Sequence, residues 1–119
     1  MKTAIIGSRN ITDFDLTRAL EGLTVTEIIS GGAAGVDTLA EEFAQSHGLP
    51  LTIFPADWKQ HGPKAGPLRN RQIVEACQQV VAIWDGSSKG TATTIRMAQQ
   101  AGKSVRVIKV NDPKQVSLF

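Results

Sequence analysis

Two rhythms of apolar and polar positions alternate along this chain. Uninterrupted apolar stretches at Thr3-Ala4-Ile5-Ile6, Thr26 to Ser30, Leu51-Thr52-Ile53-Phe54, Val80-Val81-Ala82-Ile83-Trp84 and Ser104 to Val110 read as strands. Between them apolar residues recur at helical spacing. The sets are Leu16, Ala19, Leu20 and Leu23; Val36, Leu39, Ala40, Phe43 and Ala44; Ile73, Ala76 and Cys77; and Ala92, Ile95, Ala98 and Ala101. Punctuation supports these bounds. Thr12 or Asp13 can cap the first helix, Gly48 and Gly102 suit left-handed helix terminators, and Pro50 follows Gly48 closely. Strand and helix therefore alternate, which predicts an α/β domain with a doubly wound, mainly parallel five-stranded sheet and helices on both faces.

Right-handed crossovers bring all strand carboxyl ends to one edge. Three informative turns emerge there: Gly7-Ser8-Arg9, Ser30-Gly31-Gly32-Ala33-Ala34-Gly35-Val36-Asp37, and Asp85-Gly86-Ser87-Ser88-Lys89-Gly90-Thr91. The second is the most pronounced, an apolar run that stops at Ser30 and gives way to three glycines before helical spacing resumes. Glycine lets a ligand approach the main chain, and a helix start offers unpaired N–H groups with the positive end of the dipole. The combination suits phosphate. In the doubly wound order these three turns surround the switch point, where ligands bind. Arg9, Arg69, Arg71 and Lys89 supply positive charge for phosphate, while Ser8, Ser30, Ser88 and Thr91 supply hydroxyls. Asp57 and Asp85 suit ribose hydroxyls or the role of a base, and Asp37 complements its own helix dipole. Trp58 can stack on a base; Trp84 sits in an apolar strand and reads as core.

Composition narrows the function classes. The chain has 119 residues and a net charge of +2, so neither a nucleic-acid coat nor a membrane-surface protein is indicated. One cysteine, Cys77, gives no intramolecular disulfide and no cysteine-built metal site. His61 has no companion at ligand spacing and His47 closes a helix, so no metal site is expected. No apolar stretch approaches the roughly 20 residues that span a bilayer, and the amino terminus enters a strand directly, without a leader pattern. A cytoplasmic protein is expected. The segment from Pro55 to Pro67 carries three prolines and Asp57-Trp58-Lys59, and reads as an ordered functional loop ahead of a helix over Leu68 to Gln78.

Taken in order, these turns with Pro55-Ala56-Asp57-Trp58 and Gly66-Pro67-Leu68-Arg69-Asn70-Arg71 resemble the SLOG superfamily of Rossmann-like proteins, in particular its small single-domain YspA-like branch. The resemblance runs from about Lys2 to Val110 and implies a nucleotide-binding domain over residues 1–110, followed by a tail over 111–119. Two relatives refine it. The DNA-processing protein DprA has a similar turn, matched at Ser30 to Asp37. The LONELY GUY enzymes, which cleave the N-glycosidic bond of cytokinin nucleotides, carry Gly-Gly-x-Gly-Thr-x-x-Glu, aligned here with Ser88-Lys89-Gly90-Thr91-Ala92-Thr93-Thr94. Thr94 replaces their catalytic glutamate, so the resemblance implies nucleotide recognition without that catalysis. Gly90, Thr91, Arg69 and Arg71 remain as phosphate-binding residues.

The leading expectation is binding or sensing of a nucleotide-type ligand with no further cofactor. The ligand would rest on Gly7, Ser8, Arg9, Ser30, Gly31, Gly32, Gly35, Asp37, Asp57, Trp58, Arg69, Asn70, Arg71, Asp85, Gly86, Ser88, Gly90 and Thr91. One rival is a nucleoside-phosphate N-glycosidic hydrolase with Asp57 or Asp85 in place of the glutamate. Another is a DprA-like DNA-metabolism protein, a homo-oligomer holding nucleic acid on its surface. The terminal Gln115-Val116-Ser117-Leu118-Phe119 resembles the short peptides by which DNA-metabolism proteins dock on the replicative sliding clamp, with Gln115, Leu118 and Phe119 as anchors; the alternative is that it packs back on the domain.

Overall fold

The computed structural model describes residues 1–110. Five strands, β1 (Lys2–Gly7), β2 (Glu27–Ser30), β3 (Leu51–Ile53), β4 (Gln79–Trp84) and β5 (Ser104–Lys109), alternate with helices α1 (Leu16–Ala19), α2 (Val36–Ser46), α3 (Trp58–His61), α4 (Ala65–Ala76) and α5 (Lys89–Gln100). All four strand pairings are parallel, in the order β3-β2-β1-β4-β5. The doubly wound expectation holds, with the sheet parallel throughout, and the fold is Rossmann-like. The chain builds outward from β1 to β3, returns through α3 and α4, and resumes at β4 on the other side of β1. The switch point therefore lies between β1 and β4.

The two faces have separate cores. Ile5, Ile28, Val81 and Ile83 meet Val36, Ala40 and Ala44 of α2, with Ile11 and Leu16 beside them. On the opposite face Ala4, Ile6, Ile29, Val80 and Ala82 meet Ile73, Val74 and Cys77 of α4 and Ile95 and Ala98 of α5. Successive residues of β1 thus feed opposite cores, which is why its run lacks polar interruption. Each fully buried isoleucine or valine contributes about 1.5–3 kcal/mol.

Local structure departs from the sequence pattern in three places. The first helix is a single turn capped by Asp15, whose Oδ1 accepts the Thr17 amide at 3.0 Å, instead of by Thr12 or Asp13. Its carboxyl end is closed from the far strand, where Arg106 donates to the Ala19 and Glu21 carbonyls at 3.1 and 2.8 Å. The proline-rich segment contains α3, capped by Asp57 through the Gln60 amide at 3.1 Å, and a 3-10 turn at Gly62–Lys64. Finally, α4 begins at Ala65, three residues before the expected start at Leu68, because Pro67 sits in the first turn where no amide bond is required. Arg69 and Arg71 accordingly lie in its second turn and do not open it. Gln115, Leu118 and Phe119, expected as docking anchors, fall outside the described residues.

Gly35 joins the glycine turn to α2 at φ 73° and ψ −124°, a region closed to residues with side chains. A Cβ there would also run into the Ser8 and Arg9 main chain. Gly22 has a similar φ of 81° but open space around it. Gly35→Ala should therefore cost about 3 kcal/mol, adding ~1–3 for overpacking to the backbone strain, and Gly22→Ala no more than about 1–2. Urea unfolding of the two variants measures the difference; equal losses would show that strain alone, without the Ser8–Arg9 contact, sets the requirement.

Candidate functional site

Ser8 joins the three turns at the carboxyl edge. It is 1% exposed, its amide donates to the Ile83 carbonyl at 3.1 Å, and its carbonyl accepts from Ile11 and Val36, each at 3.3 Å. Its hydroxyl oxygen accepts the Asp85 amide at 3.0 Å. The turn after β1 is thereby fastened to the end of β4, to the loop beyond it and to the start of α2. Gly7 permits the approach, since a Cβ would strike the Ile83 carbonyl and stand 2.6 Å from a Val36 methyl. Gly7 and Ser8 thus have packing roles as well as a place in the cleft.

That cleft, about 410 Å³, opens over the switch point. Ile6, Gly7, Ser8, Arg9 and Asn10 line one side, Ala33 and Asp37 a second, Arg69, Asn70 and Ile73 of α4 a third, and Asp85, Ser88, Gly90, Thr91 and Thr94 a fourth. Ten of the sequence candidates therefore meet in one place: Gly7, Ser8, Arg9, Asp37, Arg69, Asn70, Asp85, Ser88, Gly90 and Thr91. Asn10 and Ala33 had no distinguishing signal beyond following an informative turn or lying within one.

The two helix starts at this edge differ. Ahead of α2 the turn is partly closed on itself: Gly32 donates to Ser30 Oγ at 3.4 Å and Ala33 to Asp37 Oδ2 at 3.0 Å, and Val36, the first residue of the helix, donates to the Ser8 carbonyl at 3.3 Å. Ser30, Gly31, Gly32 and Gly35 do not line the cleft. The glycines here serve the turn. Gly32 has φ 73°, and its missing Cβ leaves room for Ile53. Gly31 is buried beneath Arg69, whose Nη1 donates to its carbonyl at 2.7 Å. Neither Gly35 at α2 nor Ser88 at α5 makes a side-chain cap bond; the Ser88 hydroxyl pairs instead with that of Thr91 at 3.2 Å. The first amides of α5 have no intrahelical acceptor, and Ser88, Gly90 and Thr91 line the cleft. A Cβ on Gly90 would meet nothing within 4 Å, so the space beside this helix start is empty.

Charge is arranged with equal care. Asp85 Oδ1 accepts the Ser87 and Ser88 amides, both at 2.8 Å, and those bonds hold its carboxyl below the usual range. Asp37 is 7% exposed. Burial pushes its carboxyl up, while the Ala33 amide and the nearby Arg69 and Arg9 pull it partly back. Burial likewise lowers Arg69, with Asp37 favouring its charge and Arg9 opposing it. Arg69 Nε donates to Asn70 Oδ1 at 2.9 Å. With one Nη1 hydrogen on Gly31 as well, three of its five N–H donors remain.

Thr94, aligned with the glutamate of the LONELY GUY motif, is 2% exposed, and its hydroxyl donates back to the Gly90 carbonyl at 2.9 Å. Asp57 and Arg71 lie elsewhere. They line a second cleft of about 340 Å³ with Pro55, His61, Ala65, Leu68, Gln72 and Glu75, and Arg69 lines both clefts. Trp58 is 52% exposed and lies over Gly66. Gly86, at φ 86°, passes beneath the Lys109 side chain without reaching the first cleft. Trp84 is half-buried and its indole donates to the Ser88 carbonyl at 3.0 Å, bracing the loop. Among the described residues no three His, Cys, Asp or Glu side chains gather as metal ligands, and no helix is long and apolar enough to cross a membrane.

The two cleft carboxylates should affect stability with opposite slopes. Asp85 is depressed, so its contribution is present above the ordinary value of 3.8 and is lost as pH falls through its folded pKa. Asp37 is raised, so its contribution is present below 3.8 and lost as pH rises through its folded pKa. Asp85→Asn should therefore be less stable than the parent at pH 7, and Asp37→Asn, which keeps an acceptor for Ala33, more stable. Both differences should shrink at pH 3, measured by urea unfolding; a destabilised Asp37→Asn at pH 7 would mean that the arginines outweigh burial.

Comparison with known proteins agrees with this architecture. The family model described as YspA, cpYpsA-related SLOG family matches residues 1–61, which take in β1, the glycine turn, α2 and α3. The Gene 61 protein of Mycobacterium phage D29 is 38% identical over 104 residues, covering 82% of this chain and 79% of that protein. In keeping with its parallel sheet and switch-point cleft, the chain belongs to the YspA, cpYpsA-related SLOG family of Rossmann-like proteins.

Proposed function

We propose that this protein binds a nucleotide or nucleotide-derived ligand in the cleft over the switch point. The observation that carries the reading is the uncapped start of α5, open onto a cleft that Arg9 and Arg69 also line. A phosphate placed there meets free amides, the positive end of a helix of 12 residues and two guanidinium groups. Asp85 and Asp37 then stand where sugar hydroxyls need acceptors. A cleft with two cations and two carboxylates suits a sugar phosphate better than a bare anion, because each carboxylate would otherwise repel the ligand. No further cofactor is required.

Recognition is favoured over N-glycosidic cleavage by the state of Thr94 and Asp57. The first has no carboxylate and turns its hydroxyl onto its own helix; the second caps α3 beside the other cleft. Of the two carboxylates expected for that chemistry only Asp85 lines this cleft, and the amides that depress it make it a weak base.

Thermal unfolding against a panel of nucleoside 5′-monophosphates and orthophosphate tests the reading. A nucleotide at 100 times its dissociation constant adds about 2.7 kcal/mol of stability, a melting shift of several degrees. Helical side chains lean toward the amino end, so Gly90→Val directs its methyls at the phosphate position and should abolish the shift. Gly90→Ala should stabilise the free protein by about 0.5–1 kcal/mol, as glycine in a helix costs that much, and weaken binding less. A panel with no effect, or a full shift retained by Gly90→Val, would remove the proposal.

A further inference from the structure

The second cleft is built to be read together with the first. Arg69 forms the ridge between them, pinned on one side to Gly31 and on the other to Asn70. Beyond the ridge, Arg71 and His61 give the second cleft a polar, basic side, while Pro55 and Leu68 give it an apolar one. Leu68 is 43% exposed, a large apolar side chain left facing an open concavity. The carboxylates there are partly committed. Asp57 caps α3, and Glu75 lies one turn beyond Arg71, where pairing with the arginine on the amino-terminal side is the weaker arrangement. An anion can compete for Arg71.

From these observations we infer that the ligand extends across Arg69 and places a second phosphoryl group against Arg71 and His61. The inference rests on the nucleotide reading of the first cleft and adds the class of ligand. The preferred compound is a nucleotide whose phosphate chain continues past its first phosphate, instead of a nucleoside monophosphate. Volumes support this. Clefts of about 410 and 340 Å³ each lie near the lower end of small-ligand pockets, and joined at a shared arginine they accommodate a longer molecule. Two chemical sources offer the second phosphoryl group. A nucleoside triphosphate ends in it, whereas a dinucleoside polyphosphate continues to a second nucleoside, which would lie on Leu68 and Pro55.

Calorimetric titration of the full chain with a nucleoside 5′-monophosphate, the triphosphate and the dinucleoside polyphosphate of the same base, for each of the four common bases, separates the outcomes. At least one extended compound should bind about tenfold tighter than its monophosphate. Arg71→Ala should remove that advantage, while the monophosphate, too short to reach Arg71, loses less than twofold. Leu68→Ala should weaken the dinucleoside compound alone if the second nucleoside occupies the apolar wall. Arg69→Ala should weaken all of them. Equal affinity of monophosphate and extended compounds, or an extended compound indifferent to Arg71→Ala, overturns the two-cleft inference and leaves the first cleft's reading standing. If no nucleotide binds, the underlying reading falls and this one with it.

Discussion

The edge of this sheet depends on one serine. Buried at 1% exposure, Ser8 uses its amide, its carbonyl and its hydroxyl oxygen to hold the ends of three elements that are distant in sequence. In a parallel sheet the carboxyl ends of strands leave main-chain groups that no further strand pairing satisfies. Ser8 absorbs several of them, and the glycine before it allows β1, β4 and α2 to come close enough for it to do so. The Asp85 loop is then fixed before any ligand arrives. Asp85 draws in the Ser87 and Ser88 amides, and Trp84 holds the Ser88 carbonyl. The start of α5, beside the cleft, is left without a side-chain cap.

Such an arrangement separates two features that look alike in composition. Both the turn before α2 and the turn before α5 are rich in glycine and serine, and both precede a helix. At α2 the glycines accommodate Ile53, Arg69 and the main chain of Ser8 and Arg9, while Gly32 and Ala33 donate within the turn and Val36 to Ser8. At α5 the space beside Gly90 is empty. The physical distinction is whether an internal group reaches the helix start, as the Ser8 carbonyl reaches Val36 at α2.

Much of the fold was legible because each strand is one apolar run and each crossover helix has one apolar face. The sheet order follows from those elements and the handedness of crossovers. The lining of the first cleft was legible where it follows a strand end directly, as Ser8, Arg9 and Asp85 do. That Ser30, Gly31, Gly32 and Gly35 stand outside the first cleft was not legible, because the turn's partners are decided by folding: Val36 finds the carbonyl of Ser8, nearly thirty positions away. Asp37 taking the Ala33 amide is a local pairing, and a carboxylate near the start of a helix could have suggested it. The position of α4 was missed because Pro67 reads as an interruption when it is the third residue of the helix. Without that start, nothing in the sequence placed Arg71 in the second cleft alone and Arg69 at the boundary of both.

Arg69, Asn70 and Ile73 face one cleft, while Leu68, Arg71, Gln72 and Glu75 face the other, with Arg69 at the boundary. This division is set by helical phase, at about 100° per residue. Substitutions along α4 can therefore tune either cleft independently, but a deletion of one residue ahead of Arg69 within the helix cannot. It would rotate every later side chain by more than a quarter turn, carrying Arg69 off Gly31, Ile73 out of the core and Arg71 away from its wall in one event. Among descendants of this sequence, α4 should accordingly vary in letters and not in length, with insertions and deletions collecting before Ala65, where α3 and the 3-10 turn bury no side chain.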